Sequence, residues 1–501
     1  MRHVLAIDQG TTASKCLVVR SDGVVVGRGQ RDITQYFPQP GWVEHDPEEL
    51  LATVIAAARD AVAGSGQFPD AIGITNQRET IVVWDRVTGQ PAARAIVWQD
   101  RRTAARCREL EPLVERLRHL TGLVADPYFS ATKLEWLLRD GLLERAERGE
   151  LLAGTVDSWL IWRLTGGMVH ATDYTNASRT LLFDIQRREW SAELCELFGV
   201  PRSMLPEVRP SAGDFGVTTP EIFGRSVPVR GVAGDQQAAL FGQGCWERGQ
   251  GKQTYGTGAF LLLNTGSERP SDSPGVLTTL ACDSAGQPVY ALEGAIFIAG
   301  AAIQWLRDGL GILETAAASE ELARGIADTG GVYFVPALAG LGAPDWEPRA
   351  RGTIVGLTRG TGRAELVRAA LEAMAHGTRD VIDLMERQSG AHFDRLRVDG
   401  GASANSWLMQ FQADLLGRPV DRPLQVETTA LGAAGLAGLS SGVWPTAASF
   451  AERREFTTFL PGDGAEAARD GVAGWRRAVR TALAWARDPE AGGLDDSEPA
   501  A

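Results

Sequence analysis

Lysine is almost missing from this chain. Only three of its 50 cationic side chains are Lys, at Lys15, Lys133 and Lys252, and the rest are Arg. Base composition of the coding sequence accounts for such a bias, yet all three fall in or beside stretches singled out below on other grounds. Cations are also outnumbered: 63 Asp and Glu leave a formal net charge of −13, which argues against nucleic acid or an anionic membrane surface as partner. The five cysteines (Cys16, Cys107, Cys195, Cys245, Cys282) are scattered, odd in number and without a C-x-x-C. That pattern fits reduced thiols in a cytoplasmic protein, not a disulfide framework or a zinc site. The six histidines (His3, His45, His119, His170, His376, His392) show no metal-ligand spacing and read as structural. No stretch approaches the roughly 18 continuous apolar residues of a membrane span. The first apolar run is broken by Asp8, so no signal-peptide core is expected.

What the chain has in abundance is length and glycine. At 501 residues it exceeds one ordinary core, so two or three domains are expected. Its 58 glycines favour tight turns and loops that approach ligands closely.

The first such turn is Ile7-Asp8-Gln9-Gly10-Thr11-Thr12, set between the apolar runs Val4–Ile7 and Cys16–Val19. Short apolar runs joined by Gly and Thr read as two strands and a tight turn. Gly lets backbone N–H groups form an anion nest, hydroxyls add donors, and Lys15 adds a point charge. Asp8 can hold a metal ion against phosphate oxygens. An ordinary hairpin with a polar turn fits these residues equally well.

Further along, strands are expected near 3–8, 15–20 and 23–28. A helix follows from Asp46-Pro47-Glu48-Glu49, with Asp as N-cap and Pro at the first position. Strands at 71–75 and 80–84 flank Gln77-Arg78-Glu79, and helices are expected near 103–119, 131–144 and 154–164. A strand at 227–232 leads into Gly234-Asp235-Gln236-Gln237 and a helix, a strand-to-helix elbow of the kind that presents side chains at one end of a sheet. The opening pattern then recurs: strand 252–255, turn Gly256-Thr257-Gly258, strand 259–263. Two domains, each opening with a hairpin, would face each other across a cleft. Helices near 298–309, 319–327, 362–388, 405–416, 431–439 and 464–486 and a strand at 396–399 complete an α/β pattern with mixed sheets. The helix at 431–439 is packed with Ala and Gly, which lets backbones approach closely. Residues 488–501 are acidic and rich in small residues and read as a disordered tail.

Arg78 is a forked donor and Glu79 an acceptor, adjacent at a strand end where both can reach one ligand; a surface charge pair is the plain alternative. Asp235 can serve chemistry or merely cap its helix.

Taken together, several stretches resemble the FGGY carbohydrate kinases. They are Asp8–Thr12, Gly41-Trp42-Val43-Glu44-His45-Asp46-Pro47, Asn76–Glu79, Trp98-Gln99-Asp100-Arg101-Arg102, Pro127-Tyr128-Phe129-Ser130, Gly234–Gln237, Tyr255–Gly258 and Gly340-Leu341-Gly342-Ala343-Pro344. The resemblance runs over about residues 3–445. It implies an α/β, actin-like (ribonuclease-H-like) ATPase fold: two domains with mixed sheets flanked by helices and a cleft between them. The N-terminal domain would span 1–246 and the C-terminal domain 247–487.

Within that family the pattern is that of members acting on glycerol. It implies in-line transfer of the γ-phosphoryl group of MgATP to give sn-glycerol 3-phosphate, with another polyol or ketose (erythritol, xylulose, dihydroxyacetone) as the alternative acceptor. Arg78, Glu79, Tyr128 and Asp235 would meet the glycerol hydroxyls, Gln236 would be a further contact, and Trp98 and Phe260 would be apolar walls. Asp235 would act as base, orienting the hydroxyl and taking its proton late. Asp8 would stand on the magnesium side. Thr11, Thr12, Ser14 and Lys15 would meet the phosphates from one hairpin and Gly256, Thr257 and Gly258 from the other. Gly300, Gln304, Gly401 and Asn405 would line the nucleotide side, although Asn405 can equally be a helix cap. A homo-oligomer, dimer or tetramer, is implied too.

The chain departs from the pattern at three places. Lys15 stands where members acting on glycerol usually carry Arg, which keeps the charge but loses the fork. Asp345 replaces a usual aromatic before Trp346. Glu221–Ser226 lacks the Gly pairs of the loop at which fructose 1,6-bisphosphate inhibits some bacterial members, and it has no histidine that could be phosphorylated.

Overall fold

The computed structural model describes residues 1–271 and 274–488. The tail expected at 488–501 lies, beyond Asp488, outside the described residues. Two mixed sheets carry the fold. In the first, β1 (His3–Gln9) turns into β2 (Ala13–Arg20), antiparallel with Asp8 opposite Lys15. β3 (Val25–Asp32) extends the meander, and β4 (Ala71–Asn76) and β5 (Val229–Gly234) add in parallel on the other side, in the order β5-β4-β1-β2-β3. The second sheet opens the same way. β6 (Gly251–Tyr255) turns at Gly256–Gly258 into β7 (Ala259–Gly266). β8 (Leu277–Cys282), β9 (Pro288–Ile296), β10 (Leu396–Asp399), β11 (Val420–Pro423) and β12 (Phe456–Phe459) complete it in the order β8-β9-β7-β6-β10-β11-β12.

The helices that place the site are α1 (Pro47–Ser65), α2 (Ser130–Leu137), α3 (Val156–Leu164), α4 (Asp235–Gly242), α5 (Gly300–Asp308), α6 (Arg363–Ser389), α7 (Ser406–Leu416) and α8 (Thr428–Ser440). α1 starts as its sequence requires: the Asp46 carboxylate accepts the Glu48 N–H at 2.9 Å, and Pro47 occupies the first turn, where no N–H is needed.

Alternation along the strands sorts side chains to two faces. On the first sheet, Leu5, Ile7, Cys16 and Val18 pack with α1, while Val4, Ala6, Leu17 and Val19 pack with α8. Each fully buried Leu, Ile or Val contributes about 1.5–3 kcal/mol. α8 reaches this sheet from the far half of the chain, and its small residues permit it: a Cβ at Gly73 would stand 2.1 Å from the Ala433 carbonyl oxygen. On the second sheet, Tyr255, Leu261, Leu263, Leu292, Leu396 and Val398 form the core with α6 and α7. The opposite face carries Lys252, Thr254, Phe260, Glu293 and Asp399, and it is turned toward α4. Polar groups from both halves therefore meet at one junction.

Three expectations change. The helix expected from 154 begins at Val156, because Leu151–Thr155 pairs as a strand with Ile81–Asp85. The helix expected over 103–119 is three short pieces, broken where Pro112 enters a 3-10 turn. The helix expected over 131–144 stops regular winding at Leu137, ahead of Gly141 at φ 104°. β8 and β9 were not expected at all.

Candidate active site

Arg78 and Glu79 leave the end of β4 buried to 2 % and 1 % exposure, so they are no surface pair. Arg78 uses its whole fork. Nη1 donates to Glu293 Oε2 (2.5 Å) and Gln237 Oε1 (3.3 Å), Nη2 donates to Glu293 Oε1 (3.3 Å) and the Tyr128 hydroxyl (3.2 Å), and Nε lies 3.2 Å from Asp235 Oδ1. Burial disfavours its charge, but Glu293 and Glu79 more than offset this, and its pKa stands well above the ordinary value. Glu79 has φ +61°, an uncommon backbone for a residue with a side chain, and its carboxylate accepts Arg179 Nε at 2.7 Å. Burial raises its pKa against the pull of Arg78 and Arg179. Arg179 also donates to Glu293 Oε1 at 2.8 Å. Burial would raise Glu293, yet Arg179 and Arg78 bring it down to about 2.

Trp98 and Tyr128 stand edge to face beside this cluster, with ring centroids 5.6 Å apart. Trp98 Nε1 donates to the Thr11 hydroxyl at 2.9 Å, which leaves the Thr11 hydrogen free to turn toward a ligand. Phe260 is half-buried on the junction face of β7.

The elbow after β5 is capped by Gly234, not by Asp235. Asp235 is the first helical residue, its side chain one-third exposed, and Oδ1 accepts only the neighbouring Gln236 N–H within its own helix. Gln236 is gripped from the other sheet: Lys252 Nζ donates to its Oε1 at 2.5 Å and to the Thr254 hydroxyl at 2.6 Å. Burial lowers the Lys252 pKa, against the pull of Asp399 and Asp235.

In the first hairpin, Gly10 N donates to the Ala13 carbonyl at 3.0 Å and closes the turn, with Thr12 and Lys15 exposed. Asp8 faces Lys15 across the ladder. Burial and the nearby Asp235 raise the Asp8 pKa to about 7. Two carboxylates that act on each other beside this turn are chemically apt to hold Mg²⁺, which binds through one or two carboxylates plus phosphate oxygens. Among the described residues no cluster of three or more His, Cys, Asp or Glu forms a self-sufficient metal cage. Ser14 departs from expectation. It is buried on the α1 face, its hydroxyl 3.0 Å from the Thr53 hydroxyl, so its side chain points away from the turn. The pleat explains this: if Lys15 faces the cleft, Ser14 cannot.

The second hairpin is docked on the start of α5. Ala299 N and Ala301 N donate to the Thr257 carbonyl at 2.8 and 3.1 Å, and Gly300 N donates to the Gly256 carbonyl at 3.0 Å. Close approach requires the glycines, since a Cβ at Gly300 would lie 2.6 Å from the Gly256 oxygen. Gly256, Thr257, Gly300, Gln304, Gly401 and Asn405 line one cavity of about 460 Å³, with Ile303, Leu371 and Ala402 as apolar neighbours. Gly258 supports the turn without lining the cavity. Asn405 is a helix cap that also borders the cavity: its Oδ1 accepts Leu408 N at 2.9 Å at the start of α7. Trp346 is anchored without the usual aromatic beside it, through Nε1 to the Gly275 carbonyl at 2.8 Å.

Sequence reasoning missed Arg179, Glu293 and Lys252. Glu293 is the lone charge in the run Val289–Ile296, and a carboxylate stranded in an apolar strand is a buried-charge signal. Arg179 carries no such local mark in the sequence around it.

Comparison with known proteins bears on nearly the whole chain. Residues 3–242 match the N-terminal domain, and residues 251–441 the C-terminal domain, of the FGGY family of carbohydrate kinases. Glycerol kinase of Carboxydothermus hydrogenoformans is 54% identical over 493 residues, covering 97% of this chain and 99% of that protein. Glycerol kinase 2 of Thermotoga maritima is 52% identical over 493 residues, with the same coverage. The solved structure of Plasmodium falciparum glycerol kinase with ADP superposes with a TM-score of 0.92 at 34% identity, covering 96% of this chain and 98% of that one. A xylulose kinase from Lactobacillus acidophilus shares the fold, with a TM-score of 0.88 at 19% identity. The two mixed sheets with a cleft between them are the actin-like architecture that the motifs implied. The chain belongs to the FGGY family of carbohydrate kinases.

Proposed function

We propose that the protein transfers the γ-phosphoryl group of MgATP to glycerol, forming sn-glycerol 3-phosphate. The observation that carries this reading is the position of Asp235, partly exposed beside the Arg78 cluster and within electrostatic reach of Asp8 and Lys252. Relatives at 51–54% identity that are named glycerol kinase supply the acceptor. In this reading residues 1–246 carry the first phosphate hairpin and the acceptor groups other than Phe260, and residues 247–487 carry the second hairpin and the nucleotide cavity.

Glycerol is a small triol, so the site must exchange existing polar contacts for hydroxyls without stranding a charge. Arg78 offers this exchange at its contacts with Tyr128 and Asp235, both 3.2 Å. Trp98 and Tyr128 wall the carbons, with Phe260 across the junction. Asp235 orients the attacking hydroxyl and accepts its proton, while Arg78 and Lys252 hold the elbow in place. Phosphoryl transfer is loose, so positioning and charge stabilisation do most of the work. The Thr11 and Thr12 hydroxyls and Lys15 meet the phosphates from one side, the Gly256–Gly258 turn from the other, and the cavity beside α5 takes the adenosine. Asp8 would hold Mg²⁺, which when bound neutralises phosphate charge.

Turnover in a coupled assay against glycerol, erythritol, xylulose and dihydroxyacetone tests the reading. Glycerol is expected to give the highest kcat/KM. No turnover of glycerol alongside turnover of another acceptor overturns it, and so does ATP hydrolysis without a phosphorylated acceptor.

A further inference from the structure

The first turn of α2 is tied to both acceptor loops. Ser130 Oγ donates to the backbone carbonyl of Glu79 at 2.8 Å, and Lys133 Nζ donates to the backbone carbonyl of Tyr128 at 3.0 Å. Ser130 and Lys133 stand three apart on one helix face, and both are fully buried. Neither side chain has any part in the chemistry described above. Yet the two carbonyls they hold belong to the two residues that frame the acceptor from the α2 side. Glu79 needs such a tie, because its φ of +61° is a backbone state that other conformations compete with.

The identity of residue 133 adds a second argument. In a chain where only three of 50 cations are Lys, this position holds one. A guanidinium brings five N–H donors in a rigid plane, an ammonium three on a compact point. A sealed recess built around one carbonyl suits the ammonium. The charges facing it are Asp100 and Arg101 from the segment after Trp98, Glu79 beyond β4, and Asp126 ahead of α2.

We infer that Lys133, seconded by Ser130, is a positioning residue: it sets the backbone of Tyr128 and Glu79 and thereby the affinity for the acceptor polyol, without touching that polyol. This rests on the reading of Tyr128 and Glu79 as acceptor contacts. Burial brings the Lys133 pKa down to about 8, against the pull of Asp100, Glu79 and Asp126. Above that pH the amine is neutral, and its hydrogen bond to Tyr128 weakens from a charge-assisted to an ordinary one.

Steady-state kinetics of the full chain test this with wild type, Lys133→Met and Ser130→Ala. The glycerol KM is expected to rise about 10-fold in Lys133→Met, the size of one charged hydrogen bond, and about 3-fold in Ser130→Ala. The ATP KM and kcat stay near wild type. Wild-type glycerol KM climbs above pH 8, whereas that of Lys133→Met is flat across the same range. Lys133→Met removes a buried charge but leaves the Tyr128 carbonyl unpaired, so a thermal melt is run alongside to confirm that the variant is folded at the assay temperature. Were Lys133→Met not to fold, the wild-type pH profile and Ser130→Ala still decide. A wild-type glycerol KM that is flat from pH 7 to 9, or a Lys133→Met enzyme with unchanged glycerol KM, overturns the inference alone. A wild type that does not turn over glycerol overturns the functional reading and this inference with it.

Discussion

Glu293, on the second sheet, accepts both Nη groups of Arg78, on the first, at 2.5 and 3.3 Å. The arginine assigned to the acceptor is thus held by the half of the molecule that carries the nucleotide cavity. Arg179 closes the arrangement by joining Glu293 to Glu79. Two carboxylates and two guanidiniums balance in charge where almost no water reaches, so removing one leaves the others uncompensated.

Glu293→Gln keeps the shape and removes the charge. It is expected to cost about 3–5 kcal/mol of stability, the range for breaking a buried pair, and to raise the glycerol KM at least tenfold. Chemical denaturation and steady-state kinetics check both. The acid limb of stability gives an independent reading. Folding depresses the Glu293 pKa from 4.5 to about 2, mainly through Arg179 and Arg78 acting against burial. Its contribution is therefore complete above pH 4.5 and is lost as pH falls toward 2. Glu293→Gln lacks this contribution at all pH values, so its stability falls less than that of wild type over that interval.

Lys15 is exposed on β2 opposite Asp8, where a charge can reach a phosphate but makes no fork. Lys15→Ala is expected to lower kcat by about 10²–10³, as for loss of one transition-state donor, with the fold intact. Lys15→Arg restores most of the activity. Single-turnover phosphoryl transfer measures this, and an unchanged rate in Lys15→Ala removes Lys15 from the phosphate site.

Gly401 is the cleanest probe of the nucleotide side. Nothing lies within 4 Å of where its Cβ would stand, and the residue borders the 460 Å³ cavity. Gly401→Val therefore folds normally and intrudes only on the ligand. The ATP KM rises by about tenfold or more, as one misplaced group in a binding pocket costs on the order of 1–3 kcal/mol, and the glycerol KM does not. Equal rises in both would mean that the cavity does not hold the adenosine alone.

The site was legible where chemistry is local. The two hairpins, the elbow at Gly234–Gln237 and the pair Arg78–Glu79 announce themselves by turn residues and adjacent charges, and the structure joins the elbow to Arg78 and to the strand that leads into the second hairpin. Partners far along the chain were not legible. Glu293 reaches Arg78 across 215 residues only because β9 enters the second sheet, and β8 and β9 were missing from the sequence reading. Ser14 was misplaced for a different reason. Its hydroxyl suits a phosphate turn by type, but the two-residue period of a strand sends it to the α1 face once Lys15 is turned to the cleft. For Asp235 the sequence left two readings open, base and helix cap; the structure gives the cap position to Gly234, and the Asp235 carboxylate instead faces Arg78 while accepting the Gln236 N–H.

The central claim is that the Asp235 carboxylate takes the proton of the attacking glycerol hydroxyl. Steady-state turnover of Asp235→Asn with glycerol and MgATP, paired with calorimetric binding of MgADP, tests it most directly. The account predicts MgADP affinity near wild type with kcat reduced by about 10²–10⁴, the span for a general base. Turnover within a few-fold of wild type would contradict it.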